Sequence, residues 1–252
     1  MRILVTFAVQ AEFAPWRKLC ALESLPLNDV PVFRAQVGSA KVDFAITGMG
    51  VEKAFRVANT LLTEPYQLCI TCGFAGALKE NHVVGRILVA DAVQQVGMSK
   101  TLACARNLVH AAKSDGAVRV NVFLSSDHVV RTAAEKRALA PFADAVEMEG
   151  FGVLRAAAAQ RKSAVAIRVV SDDVRNDMPA IVDTAVDDNG NLKIAHVARF
   201  LVRHPLQLPA VIRLGRDSKT AAQALAHFLE AFIKKLSFET HGYAELQEIT
   251  AR

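Results

Sequence analysis

Residues 144–173, DAVEMEGFGVLRAAAAQRKSAVAIRVVSDD, place an alanine-rich run beside an apolar, β-branched run, with acids at both ends. Alanine has the highest helix propensity, so the segment after Glu149 to about Arg161 predicts a helix. The short apolar run 164–170, AVAIRVV, predicts a buried strand. Glu147 and Glu149 flank Met148 at one end, and Asp172 and Asp173 stand at the other. Carboxylates are seldom buried without a partner or a task, so acids at the ends of a buried strand mark a candidate site.

The rest of the chain repeats the alternation. Apolar runs at 2–9, 31–37, 41–47, 67–72, 84–93 and 118–124 predict strands, and 51–62, 101–113 and 131–140 predict helices, with a short helix around 13–22. Strands alternating with helices predict a single α/β domain over 1–252. Its sheet is central, mixed but largely parallel, and covered by helices on both faces. Ligands in such folds bind beyond the C-terminal ends of strands. Glu12, Gly48–Gly50, Gly73–Gly76, Ser125–Asp127 and Ser171–Asp173 all fall at such ends.

Composition narrows the function. The chain has 252 residues and a net charge of +5, with 6% aromatic residues and no dense block of Lys and Arg, which argues against a nucleic-acid reader. No apolar run reaches the roughly 18 residues a membrane-spanning helix needs. The opening MRILVTFAVQAEF is interrupted too early by Gln10 and Glu12 for a signal peptide. A cytoplasmic protein is expected. Cys69 and Cys72 form one CxxC with no second pair, so buried thiols are expected rather than a metal site, and no cofactor is implied.

Each local motif has a plain reading beside a functional one. GMGVEK at 48–53 lacks the third glycine of a dinucleotide fingerprint; it is either a tight turn into a helix or a backbone cradle for an anion or sugar. Glu12 is either a helix N-terminal acid or a site acid. Glu147 and Glu149 would share one side of a strand, and one of them could be a structural ion-pair partner. Asp172 and Asp173 could be a cap and a loop acid.

Taken in order, RILVTFAVQAEF (2–13), TGMGVEKA (47–54), CGFAGALKENHVVGRILVADAV (72–93), SSDHVV (125–130), AVEMEG (145–150) and RVVSDD (168–173) resemble the nucleoside phosphorylase/nucleosidase superfamily. Within it the chain is most similar to the 5′-methylthioadenosine/S-adenosylhomocysteine nucleosidases. The resemblance covers about the first 175 residues, and VEMEG followed by RVVSD is its specific part. It implies cleavage of an adenine nucleoside at the N-glycosidic bond, with Glu12 activating the attacking water and Asp172 helping to protonate the purine. Glu149 would hold the ribose hydroxyls, Met148 would pack on the nucleoside, Arg168 would stand near the nucleophile, and Val129 and Val130 would frame the base. The chemistry suits such a set, because a general acid and a carboxylate facing an oxocarbenium-like sugar both lower the barrier.

Two departures matter. Phe74, at the substrate side of the glycine turn, replaces the family's hydroxyl residue. Gln10, Ala11 and Thr71 stand where phosphorolytic relatives place arginines, which favours hydrolysis over phosphorolysis. A helical insert is expected at about 174–217. In it, Leu201, Val202, Leu206, Leu208, Val211, Ile212 and Leu214 interleave with Arg199, Arg203, Arg213 and Arg216. This is either a helical hairpin packed on the domain or on an oligomer face, or a basic amphipathic surface over 199–216 for peripheral contact with the inner membrane surface or with a lipophilic substrate. It also resembles the insert of hopanoid-associated members, which implies adenosylhopane as an alternative nucleoside. The expected partners are a small-molecule nucleoside and, by analogy with the superfamily, a second copy in a homodimer. The tail 239–252 suggests no role.

Overall fold

The computed structural model describes residues 1–187 and 190–250, with 239–250 as helix backbone only. The polar tail 239–252 otherwise lies outside the described residues. Along the chain run β1 (Arg2–Phe7), α1 (Gln10–Phe13), α2 (Trp16–Leu19), β2 (Glu23–Leu27), β3 (Val30–Val37), β4 (Ala40–Ile46), α3 (Val51–Leu61) and β5 (Leu68–Ala77). Then follow β6 (Ile87–Gln95), β7 (Thr101–Ala103), α4 (Arg106–Ser114), β8 (Val118–Ser125), α5 (Ala133–Leu139), β9 (Ala145–Glu147), α6 (Gly150–Ala159) and β10 (Ser163–Asp172). A 3-10 turn (Ala180–Asp183), α7 (Ile194–Arg203) and α8 (Leu208–Thr250) complete the chain.

The sheet is mixed. β5 pairs in parallel with β1 and β10, and antiparallel with the short β9. β10 also pairs with β6, β6 with β8, and β8 with β9. That circuit closes β5, β10, β6, β8 and β9 into a small barrel, from which β1, β4, β3 and β2 extend as an open wing. β5 and β10 are near-continuous apolar runs because both their faces are covered.

Helices α3 and α6 pack against each other so closely that a Cβ on Gly152 would lie 2.1 Å from the Val51 carbonyl oxygen. Helix α8 docks through Ala221, Ala222, Leu225, Ala226, Leu229, Phe232 and Ile233, a stripe at helical spacing, while its first turns are exposed.

The structure corrects several sequence expectations. The stretch 101–113 divides into β7 and α4, because Cys104 N donates to Asp91 O and ties 101–103 to β6. β2 and β9 were not anticipated. Pro209 stands in the first turn of α8, where its missing N–H has no intrahelical partner to lose. α8 then continues past residue 217 without a break.

Candidate active site

Several strand ends carry buried acids. Glu12, on the turn after β1, is 3% exposed and accepts hydrogen bonds from the Ala8 amide (2.7 Å) and Val9 amide (3.1 Å) on Oε2 and from the Phe74 amide (2.7 Å) on Oε1. Gly73 makes room for it: a Cβ there would lie 2.5 Å from Glu12 Oε1. Burial pushes the Glu12 carboxyl above its ordinary range; the amides of Phe74 and Val9, the Arg168 charge and the Ala8 amide act against the shift without cancelling it.

The two glutamates of VEMEG divide the labour. Glu147 ends β9 and is structural. Its Oε1 takes the Ser125 hydroxyl, and its Oε2 takes the Arg168 guanidinium, the Glu149 amide (3.1 Å) and the Gly150 amide (2.6 Å). Glu149 is the residue before α6, and its Oε1 accepts from the Gly50 amide at 2.8 Å. Its second oxygen has no hydrogen-bond partner among the described residues. Burial, then the charges of Glu147 and Glu12, push the Glu149 carboxyl up to about 8; the Gly50 amide and Arg168 pull the other way. The GMG turn thus gives its Gly50 amide to the protein's own Glu149.

Arg168, 1% exposed, reaches Glu147, Thr71 Oγ1 (3.2 Å) and the Ile167 carbonyl (3.0 Å). Burial alone would lower its basicity, but Glu147 and Glu149 outweigh that and hold the guanidinium charged. Its Nε is buried without a hydrogen-bond partner among the described residues.

A bulge between Val170 and Asp172 turns the end of β10. Asp172 Oδ1 accepts from Ser171 Oγ at 2.9 Å, and Oδ2 lies 2.5 Å from Lys136 Nζ. Gly76 faces it, since a Cβ there would stand 3.0 Å from Oδ2. Asp173 turns away and accepts from the Arg175 and Asn176 amides, the loop role open to it in the sequence.

Phe74, Met148 and Val129 are half-buried, and Val130 is buried against Leu78, Leu124, Ala143 and Val146. Gln10 binds Arg17 (3.0 Å). Cys69 and Cys72 are buried, and burial raises the Cys69 thiol to about 12. Lys136 was missed. A signal was present: it stands on the same helical face as Ala133 and Ala140, while its neighbours Glu135 and Arg137 are exposed.

A family model described as the phosphorylase superfamily matches residues 2–204. A search of curated protein sequences returns no match. Among solved structures, the chain is similar to the 5′-methylthioadenosine/S-adenosylhomocysteine nucleosidase of Neisseria meningitidis in complex with methylthio-immucillin-A. The TM-score is 0.71 at 19% identity, over 93% of this chain and 99% of that one. It is also similar to the S-adenosylhomocysteine nucleosidase of Streptococcus pyogenes in complex with 5-methylthiotubericidin (TM-score 0.72, 18% identity, 94% and 97% covered). The futalosine hydrolase of Helicobacter pylori matches at TM-score 0.67 and 18% identity, with 92% and 98% covered. These likenesses establish the shared fold.

Proposed function

The chain belongs to the phosphorylase superfamily, and from that membership we propose that it cleaves the N-glycosidic bond of an adenine nucleoside by hydrolysis, releasing adenine. The observation that carries the choice of water is the charge balance: Glu12, Glu147 and Glu149 are buried around Arg168, whose charge is already paired with Glu147. A phosphate dianion entering this cluster would meet three carboxyl groups and one guanidinium already paired with Glu147, whereas a water needs only an acceptor. Glu12 offers one. The three amides that fix its carboxylate leave one acceptor direction on Oε1 for the water.

In this reading Glu149 accepts from the ribose hydroxyls through its unpartnered oxygen and faces the developing cationic sugar. Asp172 gives a proton to the departing base. Met148, Phe74, Val129 and Val130 line the nucleoside. Hydrolysis in ¹⁸O-labelled water should place the label on C1 of the released sugar. A sugar 1-phosphate formed only in phosphate buffer would replace hydrolysis by phosphorolysis.

A second reading concerns the 5′ substituent, and an exposed surface favours it. Residues 190–216 carry Lys193, Arg199, Arg203, Arg213 and Arg216 and no acid. α7 buries no residue, and Ile194 (74%), Val202 (84%) and Leu206 (93%) are exposed. Apolar side chains among cations suit an anionic lipid surface. No helix among the described residues is long and apolar enough to cross a membrane. Contact at the surface would bring the enzyme to a nucleoside with a lipid at 5′, such as adenosylhopane. A homodimer is the assembly we propose, tested by light scattering of the purified protein.

A further inference from the structure

Lys136 has no assigned role. Its side chain is 0% exposed on α5, with Nζ 2.5 Å from Asp172 Oδ2, 2.7 Å from the Asp173 carbonyl and 3.4 Å from the Asn176 carbonyl. A buried ammonium is costly, and chains retain one only against a compensating partner.

The surroundings are built to keep this one in place. Asp173 folds the 173–176 turn by accepting from the Arg175 amide (2.9 Å) and Asn176 amide (3.1 Å), which aims the two carbonyls at Nζ. Asp177 Oδ1 accepts from the Ala133 amide at 2.7 Å, and the Met178 amide donates to the Arg131 carbonyl at 2.9 Å, so the turn and the start of α5 are joined. Thr132 caps the helix through a reciprocal bond with Glu135. All of this brings an ammonium to one atom of the carboxylate that the nucleosidase reading assigns to the leaving base.

We propose that the acid serving the departing base is the Asp172–Lys136 pair rather than Asp172 alone, with the Lys136 charge held against Oδ2 as an ion pair, because Oδ2 has no hydrogen-bond partner among the described residues. The inference rests on that nucleosidase reading. In the step, the C1′–N9 bond breaks and its electron pair passes to the base. N7 takes one proton from the pair through Asp172. The pair is left one proton short and regains it from solvent after adenine departs. Lys136 touches no substrate atom; it acts through Asp172, by fixing the carboxyl and by setting a charge behind it.

The role predicts dependence on the leaving group. Lys136→Met should lower kcat on an adenine nucleoside about 100-fold, the scale of general acid catalysis, with little change in KM. It should leave the matching 4-nitrophenyl riboside within about threefold, because nitrophenolate departs without a proton. Ethylamine added to Lys136→Ala should restore part of the adenine release. Equal losses on both substrates, or no loss on either, overturn the proposal.

Adenine binding by calorimetry separates the two levels of the account. If wild-type protein binds adenine and Lys136→Met binds it at least tenfold more weakly, the pair stands even where no nucleoside is turned over, and only the nucleosidase reading falls. Unchanged affinity in the variant, or no adenine binding by the wild type, overturns the pair.

Discussion

Replacing Glu147 by Gln should unfold the protein more readily than replacing Glu149, although the two residues are only two positions apart. Glu147 faces a guanidinium with 1% exposure, and its oxygens also take the Ser125 hydroxyl and two backbone amides. Gln keeps the shape and one acceptor oxygen but leaves Arg168 as an uncompensated buried charge. Breaking a buried pair in this way costs about 3–5 kcal/mol. Against a typical stability of about 5–15 kcal/mol this is a large fraction. At roughly 2–4 °C per kcal/mol for a chain of this size, the midpoint should fall by about 6–20 °C. Glu149→Gln keeps one oxygen to accept from the Gly50 amide, loses the other acceptor, and removes a carboxylate held against Glu147 and Glu12. Its cost should stay within about 1 kcal/mol at pH 8, the worth of one ordinary hydrogen bond. Urea unfolding followed by circular dichroism measures both, with an unchanged slope confirming that stability rather than compactness moved. A wild-type midpoint in Glu147→Gln, or equal losses in the two variants, would refute this division of labour.

Other consequences are open to measurement. The Glu149 carboxyl holds its proton up to about 8 in the folded state against 4.5 ordinarily, so the folded state binds more protons between those values and stability should fall as pH rises through them. In Glu149→Gln that fall should shrink, and an unchanged pH profile of the melting temperature would contradict the assignment. Substrate KM should rise below pH 8 if the ionised Glu149 accepts from the ribose, and a flat KM removes that role. Gly152→Ala puts a Cβ 2.1 Å from the Val51 carbonyl and must separate α3 from α6. Strain of that kind costs typically about 1–3 kcal/mol, and turnover should drop with it because Gly50 and Glu149 sit at the ends of those helices. Changing Arg199, Arg203, Arg213 and Arg216 to Gln should weaken flotation with phosphatidylglycerol vesicles by roughly 100-fold or more, at about 1 kcal/mol per charge, while turnover of a soluble nucleoside stays. Equal flotation of wild type and variant would exclude the lipid surface.

Local pattern carried much of this architecture. β1, β5 and β10 are apolar runs whose period announces their burial, and the glycines at 73 and 76 stand beside Glu12 and Asp172, where side chains would collide with the carboxylates. What failed were features set by distant partners. β9 is three residues long and exists because β5 and β8 both pair with it, so no run of its own residues could signal it. Glu147 and Glu149 are alike in sequence, and only the position of Arg168, 21 residues on, makes one structural. Lys136 sits between the exposed Glu135 and Arg137, and the 173–176 turn folding over it makes it a partner of Asp172.

The central claim is tested most directly by adenine release from methylthioadenosine, S-adenosylhomocysteine and adenosylhopane, each with and without phosphate. Release without phosphate is expected from at least one of the three, lost in Glu12→Gln and strongly reduced in Asp172→Asn. Release that requires phosphate, or wild-type rates in Glu12→Gln, would contradict it.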